Sequence, residues 1–204
     1  MEAFTVMTAV AAPMLRDNID TDIIIPSREM KTVSKTGLSA GLFAGWRYTA
    51  IGGREPNIEF VLNQSAYAGT RILLGGSNFG CGSSREHAVW ALQQGGFDAV
   101  IAPSFSDIFR NNCTKNGLLP IVLSEPIVNR IWAVIENDAT AEITIDLHRF
   151  TVEIPSAGIT ETFEMDTETQ QRFINGLDDI SITLADADAI SKFEASRPAW
   201  LAAR

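Results

Sequence analysis

Residues 71–102 read RILLGGSNFGCGSSREHAVWALQQGGFDAVIA, and the order of their segments decides the fold class. Arg71 to Leu74 has the length and apolar character of a buried strand and stops at Gly75-Gly76. A glycine-rich loop follows, then a helical segment from Glu86 to Gln94 that ends at Gly95-Gly96. Asp98 to Ala102 (DAVIA) is the next strand. Short β-branched runs alternating with helical ones predict an α/β domain.

The alternation extends outward from this stretch. Ser104 or Ser106 is placed to cap a helix through Asn116, with Gly117 as its stop. Leu119 to Leu123 reads as a strand, and Pro126 starts a helix through Glu136. Ala141 to Asp146 and Phe150 to Ile154 alternate as an antiparallel hairpin would, and two helical pieces follow around Thr167–Asn175 and Asp186–Ala195. Towards the N-terminus, Ile23-Ile24-Ile25 reads as a short strand stopped by Pro26. Glu29 to Asn57 is rich in glycine and shows little periodicity, and irregular segments of that length are often functional. With no repeat and no linker, one domain over residues 1–204 is expected, with an irregular substrate or interface loop at 29–57 and a helical extension at 166–204.

Charge narrows the function classes. Lys+Arg 16 against Asp+Glu 25 gives a net charge of −9, a surface that phosphate backbones and anionic lipids repel. Nucleic-acid and membrane binding are therefore not expected. The longest charge-free stretches, Ala3 to Leu15 and Ile72 to Ser84, fall short of the ~20 apolar residues a bilayer needs. Ala9-Val10-Ala11 looks like a cleavage site, but the Met1-Glu2 start carries no basic segment, so export is not expected. Two cysteines, Cys81 and Cys113, without a CxxC pair suit a reducing cytoplasm.

The chemistry concentrates at Gly75 to Ala88, GGSNFGCGSSREHA. Glycines let the backbone turn tightly and approach a ligand. Ser83 or Ser84 would then stand at a helix N-terminus, where free N–H groups favour negative charge, and Arg85 offers a fork suited to a carboxylate. This is an anion site with a hydroxyl beside it, or else a glycine turn with a serine cap and a solvated arginine. A phosphate loop, a dinucleotide fingerprint and a hydrolase elbow all fail on spacing: Cys81-Gly82 follows Gly80, Arg85 occupies the third-glycine position, and GxSxG is absent. Cys81 and His87 lack a third orienting group, Cys113 reads as core, and His148 falls in a hairpin turn. Two cysteines cannot hold an iron–sulfur cluster, so no metal is expected in this chain.

Several motifs resemble the small subunits of 3-isopropylmalate dehydratase, the counterpart of the swivel domain in the aconitase superfamily. They are GSNFGCGSSREHA (76–88), IAPSFSDIFRNN (101–112), KNGLLPI (115–121), DNIDTDIIIP (17–26), LFAGWR (42–47) and NGLDDISITL (175–184). The resemblance implies an aconitase-like swivelling β/β/α domain with an appended β-hairpin and C-terminal helices. It implies Ser83 as the base, with Ser84 and Arg85 on a substrate carboxylate and the Thr21-Asp22 pair facing the active site. Lys35 is the implied basic loop residue, in SKTG (34–37) where close relatives read TRTG. It further implies a cytoplasmic hydro-lyase of leucine biosynthesis that interconverts 2- and 3-isopropylmalate through an unsaturated diacid. That enzyme works with a large subunit whose four-iron–four-sulfur cluster supplies the Lewis acid this chain lacks. Homologous subunits acting on homoaconitate, citramalate or maleate share these motifs, and a carboxylate-binding module is the rival from another class.

Overall fold

The computed structural model describes residues 1–30 and 35–197. Among these, the elements run β1 (Val6–Met14), α1 (Thr21–Ile24), α2 (Ala44–Arg47), β2 (Ile72–Gly75), α3 (His87–Gln94), β3 (Ala99–Ala102), α4 (Asp107–Asn116) and β4 (Leu119–Val122). They continue with α5 (Glu125–Asn137), β5 (Glu142–Asp146), β6 (Thr151–Ile154), β7 (Ile159–Thr162), α6 (Thr167–Asn175), α7 (Asp179–Ala185) and α8 (Ala187–Ser196). Seven strands form one mixed sheet in the order β4-β3-β2-β1-β5-β6-β7. The first four are parallel; β1 turns antiparallel to β5, and β5, β6 and β7 form a meander.

The parallel strands are buried on both faces, and their residues alternate between two apolar layers. Ile72, Leu74, Ala99 and Ile101 face α5 and α6, while Leu73, Val100 and Ala102 face α3 and α4. Val128, Ile131 and Ile135 are the buried stripe of α5, and Ala88, Val89, Ala91 and Leu92 that of α3. Ser106 caps α4 by accepting from the Phe109 amide, and Gly117 ends it with φ +83.

Three expectations change. Ile23-Ile24-Ile25 is not a strand: the Asp20 carboxylate accepts from the Ile23 amide at 2.7 Å and caps α1, a short helix that buries Ile24. Neither Ser83 nor Ser84 caps α3; its N-cap is Glu86, which makes no side-chain cap bond. The 29–57 segment is not wholly irregular, since it contains a 3-10 turn at Ser39–Gly41 and α2. Two strands, β1 and β7, join the expected set, and the hairpin extends the central sheet.

Candidate active site

Parallel α/β sheets place ligand sites beyond the carboxyl ends of their strands. Three loops meet there. Those after β1 and β2 are laced by Asn18 N–H to Ser77 O at 2.8 Å, Gly80 N–H to Ile19 O at 2.7 Å and Thr21 N–H to Cys81 O at 2.9 Å. The loop after β3 joins them through Phe79 N–H to Ser104 O at 3.0 Å and Ser106 Oγ–H to Gly80 O at 2.6 Å. Gly80, at φ +74, leaves room for nothing larger: a Cβ there would lie 2.1 Å from the Phe109 ring. Phe109 in turn packs against Phe79 and stacks on Phe105, a rigid aromatic floor under the loop.

On this floor, two pairs of side chains far apart in sequence meet. The buried Thr21 hydroxyl lies 3.1 Å from Ser83 Oγ and 3.1 Å from the Ser83 carbonyl. Its proton therefore has two acceptors on one residue. Arg85 Nη1 donates to Asp22 Oδ1 in an ion pair. Ser83 and Ser84 are exposed, and Arg85 is half-buried. The cluster thus offers a hydroxyl supported by a second hydroxyl, next to a guanidinium held by a carboxylate. That combination can take a proton beside a bound carboxylate. Burial and the Asp20 charge both push the nearby Cys81 thiol above its usual range, which keeps it protonated and a weak nucleophile. Cys113 is buried in the α4 layer, and burial pushes its thiol well up.

The comparisons with known proteins give this geometry a family. The model of the aconitase C-terminal domain matches residues 1–126, and that of the C-terminal domain of the 3-isopropylmalate dehydratase small subunit matches 179–201. A 3-isopropylmalate dehydratase small subunit of Frankia casuarinae is 52% identical, covering 98% of this chain and 97% of its own. The chain belongs to the 3-isopropylmalate dehydratase small subunit family. A member from Cupriavidus necator is also 52% identical, with 98% of each chain covered. The crystal structure of the Methanocaldococcus jannaschii 3-isopropylmalate dehydratase chain superposes with a TM-score of 0.67 at 26% identity, covering 92% of this chain and 98% of that one.

Within this family member, Thr21, Asp22, Ser83 and Arg85 come together, and Ser84 lies between the last two. Lys35 makes its contacts elsewhere: its ammonium sits 4.8 Å above the Trp90 ring and its carbonyl accepts from Gln94. Ser34, the first residue of SKTG, lies outside the described residues. Among the described residues no group of three or more His, Cys, Asp or Glu side chains is placed to hold a metal ion. No described helix is long and apolar enough to cross a membrane. Trp90 and Gln94, the side chains that meet Lys35, carry one signal in the sequence, the four-residue spacing of Glu86, Trp90 and Gln94 along one side of α3.

Proposed function

We propose that this chain is the small subunit of a 3-isopropylmalate dehydratase, a hydro-lyase that interconverts 2- and 3-isopropylmalate by dehydration and rehydration in leucine biosynthesis. The carrying observation is the joint placement of Thr21 with Ser83 and Asp22 with Arg85, in a chain 52% identical to small subunits so named. Arg85, with the Ser84 hydroxyl and amide, holds a substrate carboxylate; Asp22 keeps the guanidinium turned towards the loop. Ser83 Oγ, as its alkoxide, takes the proton from the carbon next to that carboxylate and becomes a hydroxyl. The electron pair left behind spreads into the carboxylate, where Arg85 opposes its charge. The adjacent hydroxyl then leaves, giving the unsaturated diacid. Hydroxide adding back at the other carbon, with the Ser83 proton handed to the carbon that lost its hydroxyl, regenerates the alkoxide and completes the isomerisation.

Thr21 supports this cycle by donating to Ser83 Oγ when that oxygen is charged, and to the Ser83 carbonyl when it is not. Departure of the hydroxyl calls for a Lewis acid. The reading therefore includes a large subunit bearing a four-iron–four-sulfur cluster, with the active site between the two chains. Lys35 reaches the substrate from the loop, and two free thiols suit a cytoplasmic setting.

The test is an anaerobic isomerisation assay with the chain alone, then mixed with a cluster-loaded large subunit, run on 3-isopropylmalate and on homoaconitate, citramalate and maleate. Turnover of 3-isopropylmalate in the mixture alone is expected. Ser83→Ala should lower kcat by about 10²–10⁴-fold while the subunits still associate. Preference for another acid in the panel would overturn the substrate, and normal turnover in Ser83→Ala would overturn the base.

A further inference from the structure

Helix α3 starts at the catalytic loop, and one of its faces has no part in the mechanism above. Trp90 and Gln94 stand four residues apart on that face, and both engage the start of the loop segment. Gln94 bridges a turn: its Oε1 accepts from the Leu38 amide at 2.8 Å and its Nε2 donates to the Lys35 carbonyl. Between the two, Gly37 takes φ +84, a left-handed conformation that brings both backbone groups round to one side-chain amide. Leu38 is buried in the α3 apolar layer at 2% exposure and fixes the far end of the turn.

The remaining contacts act on Lys35. Its ammonium lies 4.8 Å above the Trp90 ring, within cation–π range. The ring is fixed from its far edge. Trp90 Nε1 donates to Asn116 Oδ1 at 2.9 Å, Asn116 Nδ2 donates to Glu86 Oε1 at 2.6 Å, and the Asn116 carbonyl accepts from Gln93 at 2.7 Å. An ammonium on an indole face still presents N–H donors away from the ring.

We propose that Trp90 and Gln94 are positioning residues of the reaction: they hold Lys35 in register with Ser83–Arg85 by fixing both to one helix. This rests on the assignment of Lys35 to the substrate. Without the two residues, a long cationic side chain would have to be ordered each time substrate binds, so the cost falls on KM.

The test uses the reconstituted two-subunit enzyme. Gln94→Ala and Trp90→Leu should each raise KM for 3-isopropylmalate about tenfold, with kcat within about twofold, and should speed tryptic cleavage after Lys35. Trp90→Phe keeps a ring face and should restore KM to within about threefold of the parent. Gln94→Glu, which keeps the acceptor for Leu38 and loses the donor to Lys35, covers the case in which Gln94→Ala fails to fold. In a Lys35→Ala background, Trp90→Leu should add nothing to KM. An added increase there, or a fall in kcat at constant KM, overturns the proposal. So does unchanged KM with faster cleavage, which would put the fault in the substrate role of Lys35. Inactivity of the unaltered mixture would instead put it in the reading of the enzyme.

Discussion

Replacing Thr21 by valine separates the two jobs of one hydroxyl. Thr21 is 1% exposed, and its Oγ1 stands 3.1 Å from both oxygens of Ser83. Valine keeps the shape and puts a methyl group where the hydroxyl was. In the resting protein the loss is one neutral hydrogen bond, about 1 kcal/mol, and the buried methyl offsets about 0.8 kcal/mol of it. Ser83 is exposed, so its oxygens turn to water rather than remaining unpaired. Stability should therefore move by less than about 1 kcal/mol. In the proton-abstracting state the same bond goes to a charged oxygen and is worth about 1.5–3 kcal/mol. The difference, about 0.5–2 kcal/mol, predicts that kcat falls roughly 2–30-fold. The assay pairs a thermal melt of the variant with kcat of its complex on 3-isopropylmalate, and Thr21→Ser should recover most of the rate. A Thr21→Val complex with kcat unchanged from the parent would remove Thr21 from the chemistry.

Other substitutions probe the frame around the site. Gly80→Ala combines φ +74 with a Cβ 2.1 Å from the Phe109 ring, and should destabilise by about 2–5 kcal/mol in a denaturant melt. Cys81 alkylation should reach half its limiting rate above the ordinary thiol range; Asp20→Asn keeps a capping side chain, removes the charge and should shift that midpoint down. Cys113 should stay unmodified until the chain unfolds. The Thr169 amide, donating to Asp166 at the start of α6, holds that carboxyl below its usual range. Its contribution to stability is complete above the unfolded carboxylate value and fades as pH falls through the lower folded one. Asp166→Ala should accordingly cost about 1 kcal/mol at neutral pH and progressively less in an acid titration monitored by circular dichroism.

The sequence was most readable where local chemistry and tertiary packing agree. The strands on either side of α3, the serine cap and glycine stop of α4, and the proline-started α5 were all legible from caps, breakers and apolar runs. Strand β1 was not, because VMTAVAAPM is built of small residues and contains Pro13. The sheet explains why proline is tolerated there. Val6–Val10 pair with β5, whereas Ala11–Met14 pair with β2 alone among the described residues, so the missing N–H falls where β1 has one neighbour. Ile23–Ile25 misled for the opposite reason: β-branched residues suggested a strand, and the Asp20 cap with burial of Ile24 imposed a helical turn. At the site, SSRE stood out in the sequence as a candidate anion loop, but its meeting with Thr21 and Asp22 depends on pairing between loops more than sixty residues apart. Phe43, with φ +51 and fully buried, is likewise a product of packing that its local sequence does not announce.

The divided pairing of β1 also sets a timetable for the nascent chain. Its second half finds β2 once Gly75 is made, but its first half waits for Asp146. At about 5–20 residues per second, the interval between those two residues lasts roughly 4–14 s. Throughout it, Val6–Val10 presents unpaired backbone to whatever strand is near, including another copy on the same polysome. Slower synthesis lengthens that interval and faster synthesis shortens it, so the exposure of Val6–Val10 is set by translation and not by the finished sheet alone.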